Sequence, residues 1–81
     1  MKLPRDVSGA DLARALGQFG YRVIRQTGSH IRLTTSTPAE HHVTVPAHGS
    51  IKLGTLHAII RDVAGAQGLE VAGLTKRLFG K

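Results

Sequence analysis

The chain has no cysteine and no tryptophan, one tyrosine, two phenylalanines and five acidic residues among 81 positions. Without cysteine there is no disulfide, no thiol nucleophile and no thiolate zinc site. The acids Asp6, Asp11, Glu40, Asp62 and Glu70 are scattered. They do not form the clustered carboxylates that metal-dependent phosphodiester cleavage uses. No metal or other cofactor is expected. No apolar run approaches the roughly 20 residues of a membrane helix, and no signal-peptide pattern opens the sequence as given. A soluble, cytoplasmic protein without membrane contact is the expectation.

What is present is positive charge. Eleven Lys and Arg against five Asp and Glu give a formal charge of +6. Such an excess suits a polyanion, a nucleic acid above all, or an acidic protein, and charge alone does not separate RNA from DNA. Eighty-one residues, 41% of them hydrophobic and mostly aliphatic, bound the chain to one small domain with a thin core. Oligomerisation or a bound partner is the expected source of further stability.

Periodicity sets the order of elements. Pro4 keeps Leu3 out of a helix, so residues 1–7 read as a lead-in. Ser8 and Asp11 have the spacing of a capping box. Leu12, Leu16 and Phe19 then recur at i, i+4 and i+7, predicting a helix over 9–19 that Gly20 ends. Strands are predicted at 21–27 and 29–36, with Gly28-Ser29 as the reversal between them and Gly28 free to take a positive φ. A third strand covers 41–46 and stops at Pro46, which has no amide hydrogen. Gly54-Thr55 marks the start of a second helix, whose stripe is Leu56, Ile59, Ile60 and Val63; Gly65 and Gly68 are read as breaking it. A short, glycine-weakened helix follows over 69–78. This α-β-β-β-α-α order predicts an α+β domain, with helices on one face of a three-stranded antiparallel sheet.

The uncovered sheet face is where chemistry belongs. Ile31 and Leu33 share one face of the second strand; His30, Arg32 and Thr34 share the other. His42 and Thr44 join them, as do Arg22 and Gln26 if Tyr21 and Val23 point inward. A one-residue slip would exchange the faces. Polar residues on an open sheet face are often simply solvated, but two histidines beside arginine make a set able to cleave RNA. Attack by the 2′-hydroxyl needs a base for its proton, and histidine titrates near neutrality. The charge on phosphorus needs cations. Adjacent His41 and His42 point to opposite faces, so a histidine metal site is not expected. Ser29 beside His30 reads as a turn residue rather than a nucleophile. Lys52 with Gly54-Thr55 has the form of a phosphate-holding helix start, although Thr55 serves equally as a plain cap.

Across nearly its full length the sequence resembles the HicA family, the mRNA interferases of HicA–HicB toxin–antitoxin pairs. The matching residues are Leu3-Pro4, Ser8-Gly9, Leu16-x-x-Phe19-Gly20-Tyr21, Val23-Ile24-Arg25-Gln26 and Gly28-Ser29-His30. They continue with Val43-Thr44-Val45-Pro46, His48 and Gly54-Thr55-Leu56 leading to Ile59-Ile60. Thr27 departs from the pattern, standing where many relatives carry a basic residue. The resemblance implies a fold like a double-stranded-RNA-binding domain, so the chain reads as one HicA-like domain over 1–81, with residues 68–80 an extension helix that the family core does not explain. It implies that His30 is the catalytic histidine of an endoribonuclease that cuts mRNA without metal or ribosome. Arg22, Ser29, Arg32, His42, His48, Lys52 and Thr55 are the candidates for RNA binding or transition-state stabilisation. The implied partners are mRNA and a HicB-like antitoxin, through which the chain could oligomerise. Read without the resemblance, the same residues also suit a non-catalytic RNA-binding module or a docking domain for an acidic protein.

Overall fold

The structure is a computed structural model, and it describes residues 3–80. The first two residues of the lead-in, Met1 and Lys2, and the final Lys81 lie outside the described residues. The elements are α1 (Gly9–Leu16) with a 3-10 turn at Gly17–Phe19, β1 (Arg22–Gln26), β2 (His30–Thr35), β3 (His41–Pro46), α2 (Leu53–Gln67) and α3 (Val71–Phe79). The sheet is antiparallel in the order β1-β2-β3. The expected α+β architecture, three strands with helices on one face, is the one observed.

Each boundary has a local cause. Ser8 caps α1 by accepting the Asp11 amide at 3.0 Å. The reciprocal half of the expected box does not form. Asp11, one methylene shorter than the usual glutamate, turns to Arg14 at 3.4 Å instead. The last turn of the predicted helix tightens into the 3-10 segment, and Gly20 reverses the chain at φ 83°. In α2, Gly65 does not interrupt the helix. Its stripe buries Leu56, Ile59, Ile60, Val63 and Ala64 against the core, and tertiary packing outweighs glycine's poor helix propensity. Gly68, left-handed at φ 68°, is what stops it. The helix also begins one residue earlier than expected, at Leu53, with Lys52 at its cap.

The core lies between the sheet and the helices. Ile31, Leu33, Val43 and Val45 point into it from β2 and β3. Leu12 and Leu16 of α1, the α2 stripe, and Leu74 and Leu78 of α3 meet them. The α3 helix packs on α1 and α2, so the C-terminal extension contributes to the same core. The N-terminal segment is laced to the loop after β3: Ile51 N–H donates to the Val7 carbonyl at 2.8 Å and Gly9 N–H to the His48 carbonyl at 2.9 Å. That lacing brings α1 so close to Pro46 that only glycine fits at position 9.

The edge strand β1 is different, because every one of its residues is exposed. Its register against β2 pairs Arg22 with Thr34 and Val23 with Leu33, then Arg25 with Arg32 and Gln26 with Ile31. Ile24 is an extra residue, a β-bulge, and it reverses the alternation beyond it. Gln26 therefore sits opposite inward-facing Ile31 and leaves the open face, contrary to the simple alternation. Arg25 takes its place.

Candidate nucleic-acid face

The face of the sheet turned away from the helices is built by β2 and its two neighbours. Cross-strand partners share a face, so the register arranges it in rows. Arg25, Arg32 and Thr44 form one row, Arg22, Thr34 and His42 the next, and His30 stands at the other end opposite Pro46. All are exposed except half-buried Thr34 and Pro46.

His30 owes its position to the reversal before it. Thr27 N–H donates to the His30 carbonyl at 2.9 Å, and Ala47 N–H donates to the Ser29 carbonyl at 2.9 Å. These bonds close the Gly28–Ser29 bend and fix it to the end of β3. Gly28 does not adopt the positive φ expected of it; Gly20 and Gly68 are the glycines that do. A reversal made with negative φ at both central residues needs no glycine. Ser29 Oγ lies 3.0 Å from His30 Nδ1. The serine thus orients the exposed imidazole, and Nε2 has no hydrogen-bond partner among the described residues. Thr27, the departure from the family pattern, uses its amide and, at 3.4 Å, its hydroxyl on the His30 carbonyl.

The remaining candidates divide. Arg32 donates from Nη1 to Thr44 Oγ1 at 3.2 Å, which ties its guanidinium to β3. His42 Nε2 meets Glu40 Oε2 at 2.9 Å, so its positive form is offset by a carboxylate. Ion pairs among the described residues join Asp11 to Arg14, His41 to Asp62 and His42 to Glu40. Among those residues, Arg22, Arg25 and Arg32 have no carboxylate within 4 Å. An open cleft of about 450 Å³ runs from the sheet face over the β3 edge to α2; His30, His42, Thr44 and Thr55 are among its lining residues. His48 and Lys52 are exposed but line neither this cleft nor the one beside Arg22. The His48 carbonyl anchors α1 instead. Sequence reasoning missed Arg25, because a bulge leaves no composition signal, and missed Glu40 as the partner of His42.

It also missed a cluster on the other side of the sheet. The Tyr21 hydroxyl and His41 Nδ1 are 2.7 Å apart, and His41 Nε2 is 3.2 Å from Asp62 Oδ1. With the proton on Nε2, the tyrosine donates to the imidazole and the imidazole to the carboxylate. This chain joins the start of β1, β3 and α2, across sequence separations that no local pattern reveals. It gives His41 a structural role. Burial is the chief cause that pushes the Tyr21 phenol above its ordinary value of about 10; the Asp62 charge adds to the rise and Gln67 opposes it. The folded state therefore keeps the phenolic proton longer than the unfolded chain. The associated stability is complete below about pH 10 and is lost as pH rises through the elevated folded value. Tyr21→Phe should remove this alkaline loss and should cost about 1 kcal/mol at neutral pH for the missing hydrogen bond. Thermal melts of both proteins across the alkaline range check it. Parallel alkaline limbs would contradict it.

Among the described residues no helix is long and apolar enough to cross a membrane, and no three His, Asp or Glu side chains gather as a metal-holding group. No curated protein and no solved structure matches the chain. The family model for the HicA toxin of bacterial toxin–antitoxin systems matches residues 9–64, from the first residue of α1 through most of α2 and including the whole sheet. More than half of the chain is covered, and the chain belongs to the HicA toxin family.

Proposed function

We propose that the chain acts as an endoribonuclease toxin that cuts mRNA on the open sheet face, with His30 as its proton carrier and without a metal or the ribosome. With Nδ1–H donating to Ser29 Oγ, the Nε2 lone pair is free to take the proton of the RNA 2′-hydroxyl. That oxygen attacks the adjacent phosphorus to close a 2′,3′-cyclic phosphate, the P–O5′ bond breaks, and the departing 5′-oxygen takes a proton from solvent to leave as a hydroxyl. Arg32, two residues along β2 from His30, and Arg22 in the row beyond it add a positive field around the reacting phosphate and hold the neighbouring phosphates of the strand. His42, Lys52, His48 and Thr55 belong to the surrounding RNA surface in this reading, with His42 weakened by Glu40. A HicB-like antitoxin would silence the toxin by covering the same face, and its own assembly would set the oligomeric state.

The observation that supports the reading is the exposure of His30 two residues along β2 from Arg32, an arginine with no carboxylate of the described residues within 4 Å. Purified protein incubated with single-stranded RNA in a chelator tests it. Shortened products are the expected result. A salt-sensitive gel shift with intact RNA would point to the non-catalytic RNA-binding module instead.

A further inference from the structure

The bulge at Ile24 has placed two arginines, Arg25 and Arg32, directly opposite each other in the β1–β2 ladder. Like charges in directly opposed positions destabilise a sheet, and no carboxylate of the described residues compensates this pair. Ordinary alternation would have put Ile24 or Gln26 opposite other partners and kept Arg25 off this face. The sheet thus carries an uncompensated repulsion that a bound anion would relieve.

The spacing identifies the anion. Arg32 and His30 lie two residues apart on one face of β2, a rise of about 7 Å. That rise is comparable with the separation of successive phosphates along an extended polynucleotide. The next row, Arg22 with Thr34 and His42, lies a further two residues along β2. Guanidinium forks match phosphate oxygens in pairs, and the Thr44 hydroxyl holds one Nη of Arg32 in place at 3.2 Å.

We infer that Arg25 and Arg32 form a clamp for a single phosphodiester group, the one next to the phosphate at His30, so that single-stranded RNA runs along β2. The inference rests on the RNA reading above but not on cleavage. An acidic protein would also meet these arginines, but it would not require a fixed two-residue step between a histidine and a paired fork.

The test uses the full chain and a short 2′-O-methyl RNA, which cannot be cut through its 2′-oxygen. Arg25→Gln should weaken binding about tenfold, as for a charged hydrogen bond moderated by exposure. It should also lower the slope of log K against log salt by about 0.7, the value for one phosphate contact on a single strand. Arg25→Gln and Arg32→Gln combined should lose less than the product of the two single losses, because both side chains hold one group. A methylphosphonate at the clamped position should make Arg25→Gln nearly silent. Thermal melting of each variant separates loss of contact from loss of fold. Unchanged RNA affinity in a folded Arg25→Gln protein would overturn the clamp and leave these arginines to an acidic partner; strictly multiplicative losses would overturn the shared phosphate. If the clamp effects appear while His30→Ala still cleaves, the catalytic reading fails and the clamp stands. The reverse pattern removes the clamp alone.

Discussion

His30→Ala should reduce RNA cleavage by about 10²–10⁴-fold, the usual contribution of a positioned acid or base, and should relieve growth inhibition when the chain is expressed alone. The fold should survive. His30 is exposed, and its side-chain hydrogen bond is to the equally exposed Ser29, so truncation opens no cavity and buries no orphaned group. The backbone bonds that form the reversal come from Thr27 and Ala47 amides, and alanine keeps them. A melting temperature within a degree or two of the wild type is therefore part of the expected result. RNA affinity should fall much less than rate, because the arginine rows are untouched. A folded His30→Ala protein that cleaves at the wild-type rate would remove this imidazole from the mechanism.

Gly9→Ala should be the most damaging small substitution in the molecule. A Cβ at position 9 would overlap the Pro46 carbonyl oxygen and stand 3.0 Å from the Ala47 Cα. Both are backbone atoms, which cannot swing aside as a flexible side chain would. Either α1 backs away, losing the 2.9 Å bond from Gly9 N–H to the His48 carbonyl, or the end of β3 moves. The expected cost is about 3 kcal/mol, at the upper end for overpacking. For a domain of this size that is a fall in melting temperature of about 10–20 °C. Activity should fall as well, because Pro46 faces His30 across the ladder and Ala47 N–H holds the Ser29 carbonyl. Gly28→Ala is the contrast. A Cβ there meets nothing within 4 Å and φ is not positive, so melting should change little. Equal melting temperatures for the two variants would contradict this account of the α1–β3 contact.

These two glycines mark what could be read in the chain and what could not. The stripes of α1 and α2 and the alternation of β2 and β3 were legible, because burial of one face imposes a period that composition displays. His30, Arg32, Thr44 and His42 fall on the open face for that reason. Gly9 appeared only as part of a motif; the need for it comes from a backbone 37 positions away, at Pro46. Gly28 looked like the special turn residue, yet the bend closes without its conformational freedom. The bulge at Ile24 was equally invisible, since an inserted residue changes register without changing residue type. It exchanged Gln26 for Arg25 on the open face. The Tyr21–His41–Asp62 chain joins three elements and could be found only once they were folded together.

In the proposed cleavage, an imidazole at the sheet surface takes the proton of the RNA's own 2′-hydroxyl. The most direct measurement is an RNA with a mapped cut site, compared with the same RNA carrying a single 2′-deoxynucleotide there, each incubated with the protein in a chelator. The ribonucleotide form should be cut to leave a 5′-hydroxyl end, and the deoxy form should stay whole at that position. Cleavage of the deoxy form, or 5′-phosphate ends on the products, would contradict it.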